Sequence, residues 1–375
     1  MTIPVLDLNF DELKMALAGL GQPVYRADQV ADWVYRKGVT DPAKMTNLPP
    51  ALAGQLVVAT SKVAQRLDST DGTIKLLLEL ADGERIETVL IPTQSRATAC
   101  LSTQAGCGMG CSFCASGLGG LRRGLKSSEM LEQILHLQQA ADRKVTHVVF
   151  MGTGEPLANY DETLAAVRAI IDPQRLNISA RRVTVSTVGL PKQIRRLAGE
   201  DLPITLAISL HAPNDALRRQ IMPQAARADI EDILRAAEEF FHSRNREITL
   251  EYVVLAGVND TNVCAEALAR IAARLRCNVN LIQYNPMPEP IAAAESAAAP
   301  DEFTRLVKYH CPTNEAMQEF AARLSKRGVN VQVRRSRGLD AAAACGQLRA
   351  QAGRNGRSDA EAQRKIEREG PEGDD

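Results

Sequence analysis

Residues 97–114 read Ala-Thr-Ala-Cys-Leu-Ser-Thr-Gln-Ala-Gly-Cys-Gly-Met-Gly-Cys-Ser-Phe-Cys. The first part, Ala97–Thr103, reads as a strand. The second is a glycine-rich loop that sets Cys107, Cys111 and Cys114 in a C-x3-C-x2-C array. A helical apolar period follows from Ser128 to Ala141, which completes a strand–loop–helix unit. The alternation then repeats. Strands are expected at Val145–Met151, Arg182–Val188, Ile204–Leu210, Ile248–Leu255 and Asn278–Tyr284, with Gly328–Arg334 as a further candidate. Helices are expected at Asp161–Ile171, Pro191–Gly199, Ile230–His242, Asn262–Arg274 and Asn314–Arg327. Such alternation gives an α/β fold with a parallel sheet and outer helices. About six units fall short of the eight of a closed barrel, which leaves an open, partial barrel or a doubly wound sheet. In either, reactive groups belong at the C-terminal ends of the strands.

Outward from this core (96–345), residues 1–62 read as a small helical module. Leu13, Leu17 and Leu20 share one side of a helix that starts near Phe10, and Val30, Trp33 and Val34 mark a second from Arg26 to Lys37. Asn47-Leu-Pro-Pro50 breaks the chain before a third apolar stretch, Leu52 to Val58. Arg26, Arg36 and Lys37 can share a face and read first as solvated helix surface. Residues 63–95 form a linker holding a β-hairpin, Thr73–Leu80 and Glu84–Ile91 around Ala81-Asp82-Gly83. In residues 346–375 only Leu348 and Ile366 are large aliphatics, so a disordered tail is expected there.

The 375 residues carry 45 Lys/Arg against 45 Asp/Glu, which excludes a uniformly basic RNA-coating protein and leaves local patches. No stretch is long and apolar enough for a membrane helix, and no basic region precedes an apolar run at the N-terminus. Eight cysteines without an export signal point to metal or redox chemistry in a cytoplasmic protein. Three thiolates on one tight loop can reach three irons of a cuboidal iron–sulfur cluster and leave the fourth iron open, as catalysis requires. A zinc knot and a redox thiol cluster are the alternatives. Zinc takes four Cys or His ligands, yet the nearest histidine in sequence is His136.

The array resembles the cluster loop of radical S-adenosylmethionine (SAM) enzymes. Its surroundings narrow the likeness. RATACLSTQAGCGMGCSFC, FMGTGEPLAN, RRVTVSTVG, LAISLHAPND, NPMPEP and AAACGQL, in this order, resemble the adenine-C2 RNA methyltransferases called RlmN, from about Pro23 to Leu348. One departure is Thr153 in GTGEP, where methionine is more usual.

The resemblance implies a partial (β/α)6 radical-SAM barrel with a small N-terminal helix-hairpin-helix-like domain and a β-hairpin extension. It implies that Cys107, Cys111 and Cys114 hold a [4Fe–4S] cluster whose open iron SAM chelates. Glu155, Pro156, Ser186, Ser209, Leu210, His211 and Asn285 then contact SAM. Cys345 is implied as the methyl-carrying nucleophile, Cys100 as its resolving partner and Glu87 as the general base. Without the family, Ser186 and Ser209 are ordinary strand serines and His211 a satisfied core histidine. Glu87 is then an exposed strand carboxylate, and Cys100 and Cys345 are buried apolar thiols. Cys264, Cys277 and Cys311 read as structural. C2 of adenine is electron-poor and cannot attack a methyl cation equivalent, whereas a carbon radical can add to it. The implied route methylates Cys345, adds its S-methyl carbon to C2 as a radical, loses the C2 proton and releases the RNA by a Cys100–Cys345 disulfide. An external electron donor restores the thiols. The implied substrates are large-subunit ribosomal RNA and tRNA, with no stable protein partner. Arg122, Arg123, Lys126, Arg334, Arg335 and Arg337 are candidate phosphate contacts. The same chemistry at adenine C8, and a non-enzymatic iron–sulfur RNA-binding protein with a Cys100–Cys345 redox switch, are the competing readings.

Overall fold

The runs expected as strands line up in one mixed sheet. The structure is a computed structural model that describes residues 2–286 and 309–349. The NPMPEP motif beyond Pro286 and the expected tail from residue 350 onward lie outside those residues. The parallel strands are β6 (Ala97–Cys100), β9 (His147–Phe150), β10 (Val183–Thr187), β11 (Thr205–Ser209), β12 (Ile248–Val254), β13 (Cys277–Gln283) and β14 (Val331–Arg334). Each pairs with the next in that order. Helices α4 (Ser127–Ala141), α5 (Tyr160–Ile171), α6 (Pro191–Gly199), α8 (Ile230–Arg244), α9 (Asn262–Ala272) and α10 (Asn314–Ser325) form the crossovers. The strand order is linear, so the barrel is open and partial, as the unit count requires. Most observed strands are shorter than expected by a residue or a few at their ends, and β13 keeps its expected length one residue earlier. The first stops at Cys100, and a separate short pair follows, β7 (Gln104–Gly106) with β8 (Leu121–Gly124). A further short helix, α7 (Asp215–Ile221), was not legible as one.

The hairpin is more than a linker. Strands β4 (Ile74–Glu79) and β5 (Arg85–Pro92) join the sheet through the β5–β6 antiparallel pairing. A third strand, β3 (Lys62–Asp68), closes the edge. It escaped the sequence reading because almost all of it is exposed, so it lacks an apolar alternation.

In the N-terminal module, α1 (Phe10–Gly19) starts at a capping box. Asn9 Oδ1 accepts from Glu12 N at 3.0 Å, and a Glu12 carboxylate oxygen accepts from Asn9 N at 2.7 Å. Helix α2 (Tyr25–Ala31) runs on into a π-helical turn, Asp32–Arg36. The third apolar stretch divides into a short helix, α3 (Pro50–Ala53), and β2 (Leu56–Val57), which pairs in parallel with β1 (Ile3–Pro4). Arg36 and Lys37 both pair with Asp32.

Polar ties fasten the module to the core, among them Gln139 on α4, which donates to Gly38 O at 2.6 Å. Arg175 donates to Leu6 O at 2.8 Å and Tyr35 Oη at 3.0 Å. Glu132, buried on α4, accepts from Thr60 N, Thr60 Oγ1 and Ser61 N at 3.0, 3.1 and 2.8 Å, and also from Ser61 Oγ. His136 Nε2 lies 3.0 Å from Ser61 Oγ. Charge-assisted bonds of this kind contribute most when buried.

Burial holds the His136 pKa below its ordinary 6.5, with Glu132 pulling the other way. The unfolded chain therefore binds this proton more readily than the folded one. The associated stability is present above pH 6.5 and is lost as the pH falls toward the folded value. The urea midpoint should drop below about pH 6.5, and His136→Gln should flatten part of that drop. Glu132→Ala should lower stability by about 3 kcal/mol at pH 7, since it strands buried donors.

Candidate functional site

The sheet's C-terminal edge supplies a cavity of about 960 Å³ empty volume. Cys107, Cys111 and Cys114 line it from the loop after β7, and Gly154, Glu155 and Pro156 from the loop after β9. Ser186 on β10, Ser209 on β11 and His211 just beyond it face the same space, with Asn285 after β13 and Cys345 from the far end of the chain. Leu210 is the exception among the expected residues. It is fully buried in the core and is absent from the cavity wall.

A second cavity, of about 650 Å³ empty volume, shares Cys345, Asn285 and Arg334 with the first and adds Cys100. The two cysteines, remote in sequence, thus meet across one wall.

Backbone geometry fixes the loops. Gly106 has φ +74°, and a Cβ there would collide with Gly120 O. Gly154 has φ +108°, and its Cβ would stand 2.6 Å from Gln104 Cβ. Only glycine fits both positions. Gln104 Oε1 accepts from Glu155 N at 2.9 Å, which ties the β9 loop to the strand before the cysteines. The Glu155 carboxylate accepts from Leu157 N at 2.9 Å and Val188 N at 2.8 Å, and burial raises its pKa to about 7. His211, at φ +56°, accepts from Val253 N through Nδ1 at 3.0 Å. Burial, then Arg218, lowers its pKa to about 3, so the ring is neutral. Ser186 Oγ and Ser209 Oγ lie 3.4 Å apart. Asn285 donates to Cys345 O at 3.0 Å and accepts from Ser336 Oγ at 2.6 Å.

Burial pushes the Cys107 thiol up to about 12, raises Cys111 well above its ordinary value and raises Cys114 as well. Arg218, fully buried on α7, pulls Cys111 the other way. Cys100, buried, is pushed up to about 12. Cys345 is accessible to solvent yet ringed by protein, and desolvation raises its pKa while Arg334 opposes the rise.

Glu87 departs from the exposed carboxylate expected of its strand. It is buried on β5, where Oε1 lies 2.9 Å from Lys75 Nζ and Oε2 accepts from Arg349 N at 2.6 Å. The chain stays packed through Arg349, beyond the expected boundary at 345. Ala115 N donates to Gly346 O at 2.7 Å, Ser116 Oγ to Leu348 O at 2.8 Å, and Leu348 is buried.

Two expected phosphate contacts are engaged elsewhere. Arg122 pairs with Glu84 at 2.7 Å, and Arg123 with Asp82 and Glu129 at 2.6 and 2.8 Å. Arg334 faces the cavity, 3.6 Å from Glu251. Sequence reading missed Glu251, buried on β12. Its signal was present: one carboxylate inside the apolar run Ile248-Thr-Leu-Glu-Tyr-Val-Val254.

An open βα barrel with three thiols at its strand ends defines a radical SAM protein, and the Radical SAM superfamily description matches residues 101–266. That class implies a [4Fe–4S] cluster and SAM. The residues fit. Among the described residues, no three His, Cys, Asp or Glu side chains are grouped to hold a single metal ion. Three thiols with raised pKa values share a wall and need a cationic partner to ionise, and the adjoining polar edge leaves room for a nucleoside-sized ligand. The description "Ribosomal RNA large subunit methyltransferase N-terminal domain" matches residues 3–60. A probable dual-specificity RNA methyltransferase RlmN from Thermosynechococcus vestitus is 45% identical over 341 residues, 90% of this chain and 96% of the relative. Its counterpart from Symbiobacterium thermophilum is 42% identical, over 94% of this chain and 92% of the relative. The crystal structure of a radical SAM methyltransferase from Sphaerobacter thermophilus superposes with a TM-score of 0.84 at 41% identity, over 93% of this chain and 100% of that one. The chain therefore belongs to the RlmN family of dual-specificity RNA methyltransferases.

Gly154→Ala should push the β9 loop off Gln104 and displace Glu155. Equilibrium dialysis should show SAM binding weakened at least about tenfold, a cost of about 1.4 kcal/mol.

Proposed function

We propose that this enzyme methylates C2 of adenine in large-subunit ribosomal RNA and in tRNA, in a reducing cytoplasm. The observation that carries the reading is the position of Cys345, on the wall shared by the three-thiol cavity and the cavity of Cys100. A carrier that visits two reactive partners needs this placement. Cys107, Cys111 and Cys114 are the residues that would hold the cluster. Glu155, Pro156, Ser186, Ser209, His211 and Asn285 would surround SAM, with Leu210 supporting from the core. When bound, the reduced cluster and SAM supply a 5′-deoxyadenosyl radical, which can abstract hydrogen from an unactivated methyl group.

The chain's own residues do the rest. Cys345, as thiolate, accepts a methyl group on sulfur. It then presents that carbon to C2 of an adenine turned out of its stack. The odd electron that this addition leaves on the ring would return to the oxidised cluster, Glu87 accepts the C2 proton, and the C2–H electron pair restores the aromatic ring. Cys100, as thiolate, attacks Cys345 sulfur, so that the sulfur–sulfur bond forms as the carbon–sulfur bond breaks, and the released methylene takes up a proton to become the methyl group. An external dithiol or electron donor reopens the disulfide. Neutral His211 and the buried loops keep water from the reacting carbon. Arg335, Arg337 and Lys126 remain the candidate phosphate contacts, with the N-terminal module as a further RNA grip.

The test is an anaerobic reaction of cluster-loaded protein with SAM, reductant and unmodified ribosomal RNA or tRNA, followed by nucleoside mass spectrometry. 2-Methyladenosine with 5′-deoxyadenosine is expected. 8-Methyladenosine would move the target carbon, and neither product would favour an RNA-binding redox protein. Cys345→Ala should give no methylated RNA. Cys100→Ala should leave RNA covalently attached on a denaturing gel, and full turnover by that variant would overturn its role.

A further inference from the structure

Lys75 is an odd residue for its position. It sits within Ile74-Lys-Leu-Leu-Leu-Glu79, a strand otherwise turned inward, and is itself buried. A buried ammonium is costly unless it is paired and hydrogen-bonded. Lys75 meets both needs with two partners from opposite ends of the chain. Its Nζ lies 2.9 Å from Glu87 Oε1 and donates to Ala342 O at 3.0 Å. The strand register sets the first contact. Leu77 is the Cα partner of Glu87, which places Lys75 two residues along the same face of the sheet. The second contact reaches the turn that leads into Cys345.

Glu87 is fixed on its other side too. Its Oε2 accepts from Arg349 N at 2.6 Å, and its carbonyl accepts from Ser102 Oγ at 2.6 Å. Lys75 therefore stands between the proposed base and the segment Ala342–Arg349, which carries the proposed methyl carrier. One ammonium registers the two against each other.

We infer that Lys75 is a positioning residue for proton removal. It holds Glu87 Oε1 and, through Ala342 O, sets the Cys345 segment at a fixed place beside it. This inference rests on the assignment of Glu87 as base. In the step concerned, once the ring's odd electron has passed to a one-electron acceptor, which the oxidised cluster would be, the C2–H bond breaks, its electron pair restores the aromatic purine ring, and the proton goes to a Glu87 oxygen. With Oε1 held by Lys75, Oε2 is the accepting atom once Arg349 N lets go. Lys75 bonds to Glu87 Oε1 and Ala342 O and does not line the three-thiol cavity, so its loss should weigh on proton removal far more than on the methylation of Cys345.

The experiment is single turnover with cluster-loaded full-length protein and tRNA, unlabelled or deuterated at adenine C2. Lys75→Met should still acquire the S-methyl group on Cys345, read by peptide mass. It should accumulate the covalent RNA adduct, release product at least tenfold more slowly and reveal a C2-deuterium isotope effect. Lys75→Arg should restore most of the rate. Release at the wild-type rate by Lys75→Met overturns the inference. So does a loss of Cys345 methylation in step with release, which marks a general folding defect. Glu87→Gln run in parallel separates the two claims. If Glu87→Gln releases RNA normally, the base assignment falls and this inference with it. If Glu87→Gln stalls while Lys75→Met does not, only the role of Lys75 falls.

Discussion

The site depends on the chain closing on itself. Cys345 lies after the last described strand of an open sheet, while Cys100 ends β6 and the cysteine loop follows β7. Curvature of the partial barrel lets the two ends approach, but backbone contacts fix them. Gly346 O takes the Ala115 N–H, Leu348 O takes the Ser116 hydroxyl, and Asn285 holds Cys345 O. Each bond joins a residue of the returning segment to one beside the thiol loop or the β13 end. Without this return, Cys345 would not stand on the wall that the thiol cavity and the Cys100 cavity share.

The same closure explains the electrostatics. Strand β5 would present Glu87 to water if nothing covered it. The segment Ala342–Arg349 does cover it, and a buried carboxylate then requires a partner, which Lys75 provides. The thiols follow the same rule with the opposite outcome. Their pKa values rise because the described side chains around them offer little positive charge beyond Arg218 and Arg334. A cavity that resists ionising its own thiols is suited to a guest that brings positive charge with it.

Much of this architecture was legible in the sequence because βα alternation constrains topology strongly. Strand identity, parallel order and the placing of Glu155, Ser186, Ser209 and Asn285 at strand ends follow from periodicity. Features without an apolar signature escaped. Lys62–Asp68 is an exposed edge strand, and Asp215–Ile221 is a short helix rich in charge. Leu348 was averaged into a polar stretch, which hid the packed end of the core. The burial of Glu87 depends on a covering segment more than 250 residues away, and no local pattern encodes it. Glu251 and Lys75 each left a mark, a charge within an apolar run, but a mark of that kind does not name its partner.

The location of Cys345 also bears on how the enzyme comes into being. A ribosome makes the sheet, the cysteine loop and the Glu87 strand before it makes Cys345. A nascent chain halted after β14 carries every strand of the described sheet, with Cys107, Cys111 and Cys114, but not Cys345. The segment Ala342–Arg349 is therefore the last described part of the site to be made, and it seats against Ala115, Ser116 and Glu87. A truncation at that point separates the three-thiol loop from the Cys345 thiol.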